Sequence, residues 1–189
     1  SSKKATQQVD AAIDRWVWYA GWADKYAQVL GNTNPVAGPF FNFSVPEPTG
    51  VVAAVAPPDN SVLGLVSVVA PIITTGNAAL VMPSPSAPIP AITLAECLAT
   101  SDVPGGVVNI LTGAPAEVMP WLAEHADVNG LDLSGIVDNA VAADLKRQAA
   151  RSVKRVRQPK PHADWDATPS LSRVRTFTEI KTVWHPLGT

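Results

Sequence analysis

Apolar positions recur along this chain with two different periods. From about residue 4 to 30, Val9, Ile13, Trp16, Ala20, Ala23 and Ala27 alternate at spacings of four and three. That pattern predicts one face of an amphipathic helix. Trp18, Trp22 and Tyr26, spaced by four, form a second stripe on the same helix. A helix with two apolar faces must bury both, and the expectation is that the protein's own core and a partner chain cover them together. Gly31 and Asn32 end the helix. Residues 40–45 (FFNFSV) are aromatic and β-branched and predict a strand, stopped by Pro46 and Pro48.

From Gly50 a repeating unit takes over. The segments 50–56 (GVVAAVA), 78–82 (AALVM), 106–111 (GVVNIL), 130–133 (GLDL) and 152–157 (SVKRVR) read as strands. Between them, 61–75, 89–100, 116–125 and 138–150 read as helices, the first ended by Gly76. Short strands that are apolar on both faces, alternating with helices, predict a parallel sheet covered on both sides and joined by right-handed crossovers. Residues 158–172 are proline-rich and polar, a linker. Residues 173–184 (RVRTFTEIKTVW) alternate as a long terminal strand that the α/β core does not need, so pairing with 40–45 as a ribbon is expected.

Composition narrows the class. An apolar content of 47% and a charged content of 16% in 189 residues mark a globular chain with a real core. A net charge of −2 supplies no field that gathers nucleic acid or membrane surface. The single cysteine, Cys97, excludes an intrachain disulfide framework and suits a reducing, cytoplasmic setting. No run reaches the roughly 18 to 20 apolar residues of a membrane span; the nearest, 62–73, is interrupted by Ser67 and Pro71 and reads as a buried helix. His125, His162 and His185 have no metal-ligand spacing. Lys146, Arg147, Arg151, Lys154, Arg155, Arg157 and Lys160 form a basic run that reads as a solvated helix face, with phosphate or an acidic partner as the alternative. It lacks the interleaved aromatics of a nucleic-acid surface. Asp132 interrupts an apolar strand and is expected at the strand end or paired with the basic run.

The runs PEPTGVVAAVAPPDN, APIITTGNAALVMPSPSAPIPAITLAE and PGGVVNILTG resemble aldehyde dehydrogenases in order and spacing. YAGWADKYAQ resembles the segment ahead of that family's oligomerisation hairpin, AARSVKRV its approach to the catalytic glutamate, and TFTEIKTVW its C-terminal oligomerisation strand. The resemblance implies an α/β fold with the Rossmann-like five-stranded parallel sheet of the family's cofactor domain, plus an oligomerisation ribbon. It divides the chain into an N-terminal helix (1–32), a ribbon (33–49 and 173–189), a Rossmann-like domain (50–157) and a linker (158–172). In the family, the ribbon reaches across a dimer and leans on the partner's catalytic domain.

Where the resemblance places chemistry, the residues differ. The tryptophan and asparagine beside the family's oxyanion become Pro58 and Asp59, and a carboxylate there repels an oxyanion; a one-residue slip would restore Asn60. The lysine and glutamate that grip the NAD ribose become Met82 and Pro85, leaving Pro83 and Ser84. The Gly-Ser-Thr element near the pyrophosphate reads Ser134, Gly135, Ile136, Val137, with Asp138 in the first helical turn. Pro159 stands where the catalytic glutamate is expected. Cys97 lies in the middle of a helix (LAECLAT), and the domain that carries the family's nucleophilic cysteine is missing between Pro159 and Arg173. The positions that still match cofactor contacts are Ser84, Gly113, Ser134 and Gly135, and Gly113 serves equally as a tight strand-to-helix turn. No residue is assigned a catalytic role.

The expectation is therefore a pseudoenzyme. It would be a structural or regulatory subunit of a heteromeric NAD-dependent aldehyde dehydrogenase, with NAD on a catalytically competent partner subunit. One alternative is a fragment of an active enzyme that oxidises an aldehyde to the acid. A second is a weak adenine-nucleotide-binding regulatory module near Gly113.

Overall fold

The computed structural model describes residues 2–160 and 163–188, so His162 lies outside the described residues. The first element, α1 (Ser2–Ala20), stops ten residues before the expected end. At Gly21 the bonding tightens to i→i−3 turns, Trp22 N–H to Tyr19 O and Ala23 N–H to Ala20 O, before a one-turn α2 (Tyr26–Leu30). Glycine favours such a break because it loses the most backbone freedom in a helix. The buried face also differs from the expected one. Ala12, Arg15 and Tyr19 point inward, whereas Val9 (46% exposed) and Ile13 (54%) face solvent. Arg15 is the reason: a buried arginine leaves no mark in a hydrophobic pattern.

A two-residue β1 (Asn32–Thr33) precedes β2 (Phe40–Pro48). The strand runs through both prolines that were expected to stop it. Asn42 turns its carbonyl toward β1, where it accepts the Asn34 N–H. Pro46 and Pro48 share that parity, and β1 pairs only with Phe43 and Ser44. The missing N–H groups therefore face an open edge and cost no ladder bond.

The α/β unit follows in order: β3 (Val51–Val55), α3 (Leu63–Thr74), β4 (Ala78–Met82), α4 (Ile89–Ala99), β5 (Val108–Ile110), α5 (Pro115–Glu124), β6 (Gly130–Asp132), α6 (Asn139–Ala149) and β7 (Arg155–Arg157). All five strands are parallel, in the order β5-β4-β3-β6-β7. The last strand is shorter than expected because residues 150–152 form a 3₁₀ turn and Val153 takes a left-handed φ of 54°. On one face Val55, Met82, Leu131 and Leu133 pack under α5 and α6. On the other, Val52, Ala54 and Val81 pack under α3. The outer side of α3 is covered by α1, through Leu63, Val66 and Ala70 against Ala12 and Tyr19. That double cover explains an apolar helix with no polar face. Among the described residues no helix is long and apolar enough to cross a membrane.

The terminal strand begins later than expected. Residues 171–176 form α7 (Leu171–Thr176), and β8 (Thr178–Pro186) follows. Val174 and Phe177, three apart, are both fully buried, and Thr176 and Thr178 hydroxyls donate to the carbonyls four residues back. Local helical bonding plus two buried anchors overrides the strand-like alternation at 173–176. From Thr178 the expected ribbon is present: β8 pairs antiparallel with the whole of β2, Phe40 opposite Pro186 and Pro48 opposite Thr178.

Candidate functional site

The chain leaves β3 toward β4 and β5 on one side and resumes at β6 and β7 on the other. In such sheets a crevice opens beyond the C-terminal ends of the two strands where direction reverses. Here it has a volume of about 400 Å³ and lies between Pro57–Asp59 after β3, Ser134–Val137 after β6, and Pro159, Lys160 and Trp165 after β7.

Of the four residues expected to contact a cofactor, two line this crevice. Gly135 donates its N–H to Val55 O at 3.0 Å, and any Cβ would run into the Ala56 carbonyl. Glycine is needed there for close approach of two backbone segments, whatever else the crevice does. Ser134 donates its N–H to Asp132 Oδ1 at 2.9 Å, and its hydroxyl accepts from Arg173 at 3.3 Å. Ser84 is buried outside the crevice wall and donates its hydroxyl to Pro58 O at 2.7 Å, tying the loop after β4 to the loop after β3. Gly113 lies elsewhere, on the approach to α5, with φ +152° and no atom within 4 Å of a would-be Cβ.

The substituted positions have acquired other roles. Met82 is fully buried in the core beneath α5 and α6. Asp138 caps α6: its Oδ1 accepts the N–H groups of Ala140 (2.7 Å) and Val141 (3.4 Å). Asn60 Oδ1 accepts the Gly64 N–H at 2.8 Å, at the entry to α3. Asp59 and Pro159 line the crevice, and Cys97 is exposed on α4 away from it.

The basic run is not one solvated face. Lys146, Arg147 and Arg151 are exposed. Lys154 is buried and donates to the carbonyls of His125 and Val128 at 2.6 Å each. Arg155 makes a two-pronged bond to Glu179 of β8 at 2.6 and 2.7 Å. Asp132 ends β6, as expected, but its partner is Arg173 of α7, outside the run.

Sequence inspection did not single out the buried cluster on this side of the molecule. Arg15 donates to Ser67 Oγ (2.8 Å) and to the carbonyls of Trp165 (3.0 Å) and Ala167 (2.9 Å), so α1 clasps the linker. The Arg173 guanidinium lies 5.0 Å from the centre of the Trp165 ring. Burial lowers the pKa of both Arg15 and Arg157, the neighbouring Arg173 lowers each further, and burial raises that of Tyr19. The usable signal was Asp132, since a carboxylate in an apolar strand demands a cation from somewhere.

The residues at the mouth of α6 do not fit a dinucleotide pyrophosphate. A helix N-terminus attracts anions through free N–H groups and its dipole. Here a carboxylate already takes those N–H groups and adds a like charge. Nor do Met82 and Pro85 fit a ribose, because neither side chain offers a donor, a charge or more than a weak sulfur acceptor.

A family model described as the aldehyde dehydrogenase family matches residues 1–158. This chain belongs to the aldehyde dehydrogenase family. It is 32% identical over 149 residues to cytosolic aldehyde dehydrogenase 1 of Elephantulus edwardii, covering 78% of this chain and 29% of that one. It is 30% identical over 152 residues to omega-crystallin of Enteroctopus dofleini, covering 77% and 30%. Among solved structures, an aldehyde dehydrogenase from Brucella melitensis biovar abortus 2308 superposes with a TM-score of 0.73 at 25% identity, over 82% of this chain and 31% of that one. Betaine aldehyde dehydrogenase from Staphylococcus aureus, in complex with NAD+, shares the fold with a TM-score of 0.74 at 24% identity. The chain thus spans about a third or less of the length of these relatives. The sheet is the Rossmann-like cofactor domain of aldehyde dehydrogenases.

Proposed function

We propose that this aldehyde dehydrogenase family member is a non-catalytic structural or regulatory subunit of a heteromeric NAD-dependent aldehyde dehydrogenase. NAD and the aldehyde belong to a catalytically competent partner subunit. The observation that carries this reading is the Asp138 carboxylate seated on the first N–H groups of α6. At the helix N-terminus where the resemblance places a phosphate, two N–H groups are thereby already taken by a negatively charged side chain.

The ribbon supports the partner half of the proposal. With strand order β1-β2-β8, the outer edge of the nine-residue β8 is open among the described residues. Ile180 (53% exposed), Trp184 (57%) and Phe41 (47%) are uncovered on the ribbon. Val17 (66%) continues the exposed stripe of Val9 and Ile13 on α1. An open edge flanked by large apolar side chains is an association surface unless something covers it.

The test is an affinity-tagged chain expressed in its own cells, with NAD-dependent aldehyde oxidation assayed in the eluate and in the isolated chain. Activity in a co-eluting larger chain and none in the isolated chain supports the proposal. Turnover by the isolated chain contradicts it.

The second reading is that the chain is a fragment of an active aldehyde dehydrogenase. What favours it is that the family match ends at residue 158, where the linker begins, and covers less than a third of the relatives. A longer chain bearing a reactive cysteine between Pro159 and Arg173 would establish it.

A further inference from the structure

The segment from residue 159 on lies outside the family match, yet it folds back against α1 and helps line a second recess. This recess has a volume of about 300 Å³ and lies between α1, the end of β7, the linker and α7. Among the described residues, four cationic side chains line it: Arg15, Arg157, Arg173 and Lys160.

Cations outnumber carboxylates in this recess: among its described lining residues only Asp164 is acidic. Asp132 is committed to Arg173, at 3.0 Å. Asp164 is exposed and its Oδ1 accepts the Asp166 N–H at 3.0 Å, shaping the linker; Asp166 is also exposed. Arg15 is only 9% exposed, and all its hydrogen bonds among the described residues go to neutral oxygens. Arg157 likewise donates to the Thr176 hydroxyl and the Ser172 carbonyl. Neither has a carboxylate partner among the described residues. Guanidinium groups keep their charge in proteins, and a buried charge without a counter-charge is costly. Tyr19, 1% exposed, contributes to the wall of the recess beside these groups.

We infer that this recess is a binding site for a small oxyanion, with a divalent phosphate group, free or as a monoester, as the preferred ligand. Arg157 and Lys160 grip it, and Arg15 and Arg173 supply the positive field. The choice of phosphate follows from the charge balance: the buried Arg15 and the half-buried Arg157 lack a carboxylate partner among the described residues, and a doubly charged, multiply accepting ion answers both. Guanidinium forks match phosphate oxygens two at a time. The site stands apart from the dehydrogenase proposal, which it does not need, although Lys160, Ala163 and Trp165 line both this recess and the crevice at the end of β3.

The test is calorimetric titration of the purified protein, in whatever assembly it carries, with inorganic phosphate and then AMP. Each is compared with sodium chloride at matched ionic strength. Saturable binding is expected, weakened about tenfold or more in Arg157→Gln, as for the loss of one charge-assisted hydrogen bond. Lys160→Ala, a change at an exposed side chain that leaves the fold intact, is expected to weaken it several-fold, and Lys146→Ala, on the exposed face of α6, to leave it unchanged. Tighter binding of AMP than of phosphate would identify a monoester; equal binding would identify the free ion. No saturation beyond the chloride control overturns the inference, and so does binding that K160A leaves untouched.

Discussion

Arg173 reaches back 41 residues to Asp132, placing Nη1 3.0 Å from an Oδ2 whose carboxylate is 1% exposed. The pair fastens α7, which follows the linker, to the end of β6 inside the cofactor-domain sheet. Asp132 also accepts the Ser134 N–H, so the same carboxylate shapes the wall of the crevice.

Arg173→Met should therefore destabilise the protein by about 3 kcal/mol or more, because it strands a buried carboxylate. Asp132→Asn should cost less, since it keeps the shape and removes the charge that needs a partner. Urea denaturation measures both. An R173M protein as stable as the parent would show that the pair carries no weight.

The bond between Arg155 and Glu179 ties the base of the ribbon to β7. The hydrogen bond from Arg155 holds the Glu179 carboxyl below its ordinary value. Its contribution is complete above the usual carboxylate range and is lost as pH falls through the lowered value. Glu179 is half exposed, so the amount is under about 1 kcal/mol. Glu179→Gln should flatten that part of the acid limb in a plot of unfolding midpoint against pH and change little at neutral pH.

Two glycines should respond differently to alanine. At Gly135 the new Cβ meets the Ala56 backbone, which cannot yield cheaply, so G135A should cost about 2 kcal/mol or more. At Gly113 space is open but φ is +152°, so G113A should cost about 1 kcal/mol from backbone strain alone. Thermal unfolding of the two variants side by side checks the order.

Much of this architecture is legible in the sequence because parallel strands buried on both faces leave continuous apolar runs. The five strands and four crossover helices fall within a few residues of their expected places, and the ribbon pairs as expected. The misses share a cause. Arg15 sits in the buried stripe of α1, Val174 and Phe177 anchor a helix where alternation suggested a strand, and Pro46 and Pro48 fit because their edge is open. Each depends on what the element packs against, which a one-dimensional pattern does not record. At the candidate site, the substitutions at 59, 82 and 85 and the carboxylate at 138 were legible, but their roles were not. That Asp138 is a cap and Ser84 a strut between loops follows only from hydrogen bonds.

If the ribbon docks on a partner subunit, Ile180→Glu and Trp184→Glu should weaken that association strongly while leaving the unfolding of this chain almost unchanged. Both side chains are more than half exposed here, and large apolar groups at the centre of an interface dominate binding. Co-elution on size-exclusion chromatography at several concentrations reads the effect. Undiminished association in both variants would place the contact elsewhere.

The most direct test of a non-catalytic subunit is native mass spectrometry of the assembly purified from its source cells, with the intact mass of every chain. The account predicts this chain in defined stoichiometry with a larger aldehyde dehydrogenase subunit that bears the reactive cysteine. A single, much longer chain containing this sequence, found alone or only with copies of itself, would contradict it.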